Sequence, residues 1–418
     1  MNFAMRKIAI FADILEENFD GVSVTLHKIL HAIPKDQFEV LVITSHPPKD
    51  LQSIPHKIHL CPYLKVPAQK GYRLGLPYNK KLKNVLDQFS PDLIHFTSPS
   101  LFGRFAIKYG QKNHLPVVNI YHTHYPLYLK YYVGRAGDFL IGRIAKYLFM
   151  WYYRNSDLTL VPTRTVKKDL LKLGISASKL KVWGRSLNVK NFNPTFRDET
   201  LFDVVIPEGN KKVLFVSRLI KEKEMKTIFK VYKKLRKADK TITMIITGDG
   251  PKRDWLENKM PKAVFTGKKV GIDLAKIYAS CDLFFFPSES ETFGNVVIEA
   301  MASGLPVVAA DAGGPSEIVK NNKTGFLVKP RKAKKFANRI VEILSNHEMH
   351  KQMSQEALNF VQTRTIESLH DQLWEIYNQT INKHQLQQAN ASTNELAINL
   401  NCASNHASDI SSSAAILE

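Results

Sequence analysis

The chain has 418 residues, too many for one ordinary domain and enough for two, and its 44% apolar content is that of a globular protein. Its 59 Lys and Arg against 38 Asp and Glu leave a net charge of +21, which favours nucleic acid, an anionic bilayer surface or phosphorylated small molecules without choosing among them. No apolar run reaches the roughly 18 residues of a membrane-spanning helix. The N-terminal MNFAMRKIAIFAD lacks an apolar leader core, and Cys61, Cys281 and Cys402 form no C-x-x-C pair, which points to a cytoplasmic chain with free thiols.

Short apolar runs rich in Val, Ile and Phe recur along the chain and read as strands buried on both faces of a parallel sheet. In the first half they are KIAIFA (7–12), FEVLVITS (38–45), DLIHF (92–96), PVVNIY (116–121) and DLTLVP (157–162). In the second half they are KVLFVS (212–217), ITMIIT (242–247), AVFTG (263–267), DLFFFP (282–287) and PVVAA (306–310). Amphipathic stretches separate them. In the one opened by Gly21, residues Val22, Leu26, Ile29, Leu30 and Ile33 share a face; 226–236 and 273–280 behave similarly. The alternation predicts an α/β chain of two doubly wound domains facing across a cleft, with ligands outside the carboxyl ends of the strands.

The boundaries follow from composition. Residues 1–190 form the first domain and the polar, irregular stretch 191–210 the linker. Residues 211–365 form the second domain, and 366–384 a helix crossing back to the first. Residues 385–418, rich in Ser, Asn and Ala, read as a disordered tail. Two basic stretches interleaved with aromatics or loop residues stand out, at 65–83 and 128–153. The second mixes Lys130, Arg135, Arg143 and Lys146 with aromatics, as an interfacial surface does, although 139–153 also suits an ordinary crossover helix.

The richest segment is SESETFGNVVIEAMASGLPVV (288–308). A buried strand ends at Pro287, a loop follows, and Gly294 lets the backbone turn closely into a helix whose first amides, at Asn295 and Val296, form an anion site. Glu291 precedes the turn, and Glu299 lies one helical turn beyond it. A phosphate between two hydroxyl-rich groups fits this arrangement; a glutamate merely complementing the helix dipole is the simpler alternative for either carboxylate alone.

The run from Pro287 and Ser288 through Glu291, Phe293 and Gly294 to Glu299, Ala300, Met301, Ala302, Gly304, Pro306 and Val307 closely resembles the signature of family 4 retaining glycosyltransferases, which have the GT-B fold of two Rossmann-like domains. Arg218 and Lys223 in VSRLIKEKEMKTI resemble the family's pair of cations, whose chemistry suits a diphosphate. TGDGP (247–251), with Gly248, resembles its strand-end turn, and AGGPSEIV (312–319) and NKTGFLV (322–328) match the segments that follow. The Gly313-Gly314 pair reads as backbone geometry first. YHTHYPLYLKYY (121–132) is most similar to the sulfolipid-synthase-like and related bacterial lipid glycosyltransferase and mannosyltransferase branch. Ser186 and Asn188 in WGRSLN depart from the family pattern.

The resemblance implies transfer of a hexose from a UDP- or GDP-sugar with retention. Gly21, Gly248, Phe293, Gly294, Asn295 and Val296 would line the donor. Arg218 and Lys223 would stabilise the departing diphosphate. Glu299 would hold the ribose, Glu291 a sugar hydroxyl, and His122 would approach the sugar from the other domain. No D-x-D lies near the donor loop, so no metal or other cofactor is expected. The expected acceptor is a membrane lipid such as diacylglycerol, reached from the inner face of the cytoplasmic membrane; a lipopolysaccharide, capsule or other glycan is the alternative. A non-catalytic nucleic-acid-binding module is disfavoured, since no such motif is present.

Overall fold

The computed structural model describes residues 5–17, 19, 21–65, 73–78, 80–122, 141–184, 191–362, 369–390 and 393, with the backbone alone for 141–146. The strands are β1 (Arg6–Ala12), β2 (Phe38–Thr44), β3 (Lys57–Leu60), β4 (Tyr63–Lys65), β5 (Arg73–Gly75), β6 (Leu93–Phe96), β7 (Val117–Ile120), β8 (Leu158–Val161), β9 (Leu180–Val182), β10 (Lys211–Val216), β11 (Ile242–Thr247), β12 (Val264–Gly267), β13 (Leu283–Phe286), β14 (Val307–Ala310) and β15 (Gly325–Val328).

They form two parallel sheets, ordered β3-β2-β1-β6-β7-β8-β9 and β12-β11-β10-β13-β14-β15, and β4 and β5 pair as a short antiparallel hairpin. The central strands carry the continuous apolar runs. Ile8 to Ala12 of β1 and Leu283 to Phe286 of β13 are all fully buried, as strands covered by helices on both faces must be. In each sheet the order reverses once, between β1 and β6 and between β10 and β13. Chains leaving adjacent strands at such a point part to opposite faces of the sheet, and the gap between them is where ligands bind in this architecture. The loops after β10 and β13 are those that carry Arg218, Lys223 and Glu291.

Strands β3, β9 and β15, together with the hairpin of β4 and β5, were not among the expected runs. The first two lie at edges of their sheet, where β3 keeps no fully buried residue and β9 has only three residues. Edge strands need no continuous apolar run, so they leave little signal. In the stretch 191–210, Phe202 and Ile206 are buried in the core of the second domain, Phe192 stacks edge-on to Tyr278, and Asp198 receives Lys276 at 3.4 Å. The expected connector, from Phe192 to Ile206, is therefore part of the second domain's packing.

The C-terminal helix 369–390 lies on the first domain. Its Leu373, Trp374, Ile376, Tyr377 and Ile381 share one buried cluster with Ile10, Phe38 and Leu93. The helix continues to 390, six residues into the stretch expected to be a tail, where Gln388 donates to the carbonyl of His114 at 2.6 Å; the Gln- and Leu-rich composition there favours helix. The rest of that stretch lies outside the described residues, apart from 393. Cys61 and Cys281 are buried and unbridged, burial pushing the Cys61 thiol up to about 12; Cys402 is outside the described residues. Among these residues no helix is long and apolar enough to cross a membrane.

A fully buried polar contact helps to fix the returning helix. His95 Nδ1 lies 2.6 Å from the Tyr377 hydroxyl in the fully buried interior, and His95 Nε2 has no partner there. Burial pushes the imidazole down to about 4, so it is neutral at pH 7. Because the folded value is depressed, His95's contribution to stability is full above about pH 6.5 and is lost as pH falls toward 4. Tyr377→Phe strips the imidazole of its partner and should lower stability by about 1–3 kcal/mol in urea unfolding at pH 7.5. The wild-type chain should weaken between pH 6.5 and 4 more steeply than His95→Gln.

Candidate active site

The loop after β13 is held from two sides. From one side the buried Ser288 and Ser290 hydroxyls reach the carbonyl of Glu222 at 3.5 and 3.1 Å, which ties the loop to the turn Lys221–Lys223 after β10. From the other side Gly313 and Gly314 pack flat against it. A Cβ on Gly313 would meet the Glu291 carbonyl oxygen at 2.2 Å, and one on Gly314 the Phe293 carbonyl oxygen at 2.0 Å. The amide of Gly314 also donates to the Glu291 carbonyl at 2.8 Å. Gly313-Gly314 is thus the backbone geometry that the sequence suggested.

Held this way, Glu291 meets Lys223. The ammonium lies 2.5 Å from Oε2, with the two side chains 7% and 24% exposed, and it also sits 6.0 Å from the centre of the Phe286 ring. Two residues assigned separately, to a diphosphate and to a sugar, form one ion pair across the β10/β13 gap. Arg218, at the end of β10, is exposed, and no ion pair or hydrogen bond of its side chain is found among the described residues.

Beyond Glu291 the chain turns at Gly294, with φ +101, and enters the helix Asn295–Ala302 with no side-chain cap. Its leading amides point out of the helix N-terminus, where the dipole favours an anion. Asn295 is half-buried, and its Oδ1 is buried without a partner, an acceptor of the kind that a bound molecule satisfies. Phe293 is core, at 2% exposure, and Val296 packs partly buried against the same core.

Glu299 is held differently. Its Oε2 accepts from the Tyr278 hydroxyl at 2.9 Å. Burial raises its carboxyl to about 6, against the opposing pull of Tyr278 and of Lys28 from the first domain. The same burial pushes Tyr278 well up and keeps it a neutral donor. A carboxyl raised on folding stabilises the fold fully below about pH 4.5 and loses that contribution as pH rises through 6. Glu299→Gln, which still accepts from Tyr278, should therefore raise stability at pH 7.5 by about 1 kcal/mol and leave it unchanged at pH 4.5, read by urea unfolding.

The first domain supplies the opposite wall. Its helix Gly21–Ala32 places Val24, Thr25, Lys28 and Ile29 on a small cavity shared with Asn295 and Trp183. Gly21 opens that helix, and a Cβ there would meet nothing within 4 Å. The Thr292 hydroxyl donates to the carbonyl of His122 at 2.9 Å, which brings the backbone after β7 against the loop after β13. The Thr163 hydroxyl reaches the Thr292 carbonyl at 3.4 Å. Glu317 accepts from the amides of Arg164 and Thr165, capping a first-domain helix, Arg164–Lys172, from the second domain. His124 of YHTHYPLYLKYY, Ser186, Asn188 and residues 128–140 of the aromatic-basic stretch lie outside the described residues.

The structure therefore joins Lys223 with Glu291 and sets Asn295 opposite the helix that Gly21 opens. Gly248 stands apart. Its φ is +133 and a Cβ would lie 1.9 Å from the Ser217 carbonyl oxygen, so packing of the turn on β10 accounts for the glycine without a ligand. Sequence reasoning missed Tyr278, Lys28, Thr292 and Glu317. Tyr278 reads as part of an apolar helical face, and the other three act across the cleft, where sequence spacing carries no signal.

Residues 19–190 match the family described as Glycosyltransferase Family 4, and residues 196–360 match Glycosyl transferases group 1. The chain is 34% identical over 330 residues to a GDP-mannose-dependent alpha-mannosyltransferase of Mycobacterium tuberculosis, covering 77% of this chain and 83% of that one. It is 35% identical over 326 residues to the sulfoquinovosyl transferase SQD2 of Arabidopsis thaliana, covering 74% and 61%. It is 24% identical over 315 residues to the alpha-monoglucosyldiacylglycerol synthase of Streptococcus pneumoniae, covering 72% and 70%. Its fold matches that of Anabaena Alr3699/HepE, solved in complex with UDP, with a TM-score of 0.70 at 19% identity over 89% of this chain and 100% of that one.

Proposed function

Because the chain belongs to the family 4 glycosyltransferases, enzymes with the GT-B fold that take a sugar from a nucleotide sugar, we propose that it transfers a hexose with retention to a hydroxyl of a membrane lipid such as diacylglycerol. The observation that carries the donor half is the Lys223–Glu291 pair at the β10/β13 gap, beside the uncapped helix at Asn295. A diphosphate arriving there takes over Lys223 as counter-charge and frees the Glu291 carboxylate for a sugar hydroxyl. Arg218, exposed and close in sequence, adds a second cation. The amides after Gly294 face the charge that develops on the leaving diphosphate. Open space above Gly21 suits a phosphate drawn close from the other domain.

In this reading Glu299 binds the ribose rather than attacking the anomeric carbon. It lies on the far side of Gly294 from Glu291 and is engaged by Tyr278, so the two-carboxylate scheme of retaining glycosidases does not apply. The acceptor hydroxyl enters on the face from which the diphosphate departs and gives that group its proton. His122 approaches the sugar from the first domain. The two cations provide counter-charge without a divalent ion, so activity should persist in EDTA.

Three features support the lipid acceptor. One relative is named as a diacylglycerol enzyme. The net charge is +21. The helix Ile141–Arg154 exposes Tyr147 and Leu148 beside Arg154, an aromatic and basic combination suited to the inner face of an anionic membrane. Sedimentation with anionic liposomes tests this half: binding that falls with added salt is expected, and no binding at low salt would move the acceptor to a soluble glycan.

A further inference from the structure

A cavity of about 650 Å³ lies where the turn Lys221–Lys223 and the start of the helix Met225–Ala238 meet the segment that follows β11. That volume suits a small organic molecule. None of the residues assigned to the donor lines it. Five cations do: Lys221, Lys226, Lys230, Lys252 and Arg331. The carboxylate among them, Glu224, is already engaged, accepting from the Thr227 hydroxyl at 2.9 Å and facing Arg331 at 3.4 Å. Lys226 and Lys230 stand one turn apart on an exposed helical face, where like charges repel by about 0.2–0.5 kcal/mol. No carboxylate pairs with either of them, or with Lys252, among the described residues. Trp255, half-buried and set edge-on to Phe229, supplies an apolar wall.

A concave surface with so little compensating negative charge attracts multiply charged anions. We propose that this cavity is a second anion site, separate from the donor site, for a ligand carrying at least two phosphate charges and an organic part that lies on Trp255. The site adjoins the donor loop through Arg331, which pairs with Glu224 and also with Glu289, two residues before Glu291.

The test is equilibrium dialysis of radiolabelled inorganic pyrophosphate at physiological salt against the wild-type chain, Arg218→Ala, Lys226→Ala/Lys230→Ala, and the three changes together. Arg218→Ala removes the exposed one of the two donor-site cations and leaves Lys223 held by Glu291. Alanine at two exposed helical positions keeps the fold, which circular dichroism verifies. Arg218→Ala should still bind pyrophosphate, and adding the two lysine changes should weaken that binding at least tenfold. A parallel sedimentation arm uses phosphatidylcholine vesicles with and without phosphatidylglycerol. Loss of sedimentation in the lysine variant assigns the phosphate to a lipid headgroup, and loss confined to pyrophosphate assigns it to a soluble ligand. If the lysine changes move neither arm, the site does not exist.

Discussion

Glu291→Gln will lower kcat about 100-fold or more, change KM little and leave the fold intact. Glutamine keeps an oxygen for Lys223 but loses the charge that orients a sugar hydroxyl, and misplacing a reacting ring by about 1 Å costs on the order of 100-fold. Glu291→Ala adds a second loss. Lys223, 5% exposed, is left without its carboxylate. Breaking a fully buried pair costs about 3–5 kcal/mol; with Glu291 24% exposed, about 2–3 kcal/mol is the expectation. Steady-state kinetics and urea unfolding of both variants separate the two effects. A Glu291→Gln enzyme with wild-type kcat would remove Glu291 from the chemistry.

The second large effect is steric. Gly314 has an ordinary helical φ of −61, so alanine there meets no backbone penalty of its own. Its Cβ would nevertheless lie 2.0 Å from the Phe293 carbonyl oxygen and 2.3 Å from the carbonyl carbon. These are backbone atoms, and the loop from 291 to 294 has to move. Gly314→Ala should cost about 3 kcal/mol of stability and about 100-fold in turnover. Gly21→Ala is its counterpart. With nothing within 4 Å of the new methyl, stability should stay within about 0.5 kcal/mol of wild type, while turnover should fall at least tenfold as the methyl enters the space proposed for the donor. Calorimetry and turnover on the two variants decide the matter. A fully active Gly21→Ala would show that the donor does not approach that helix.

These expectations show where the sequence was legible. Strands β1, β10 and β13 are buried on both faces, so their continuous Val, Ile and Phe runs announced them, and with them the two α/β layers. The dense pattern from Pro287 to Val307 announced the loop after β13 and the helix it opens, because a tight turn, an uncapped helix and close glycines each demand particular residues. Less could be read where a contact joins distant parts of the chain. Lys223 and Glu291 were recognised singly, and their pairing depends on β10 and β13 being neighbours. Tyr278 looked like core because its ring is core; only its hydroxyl reaches Glu299. Gly248 looked like a ligand contact, although its close approach to Ser217 suffices to require it.

The pair at Glu291 and Lys223 is proposed to handle a sugar nucleotide whose sugar goes to lipid. The most direct measurement is turnover with a panel of radiolabelled UDP- and GDP-hexoses, extracted membrane lipids as acceptor and Glu291→Gln as control. The expected result is label from one donor entering the organic phase with the wild-type enzyme and about 100-fold less with the variant. Consumption of no donor, or organic-phase label undiminished in the variant, would contradict it.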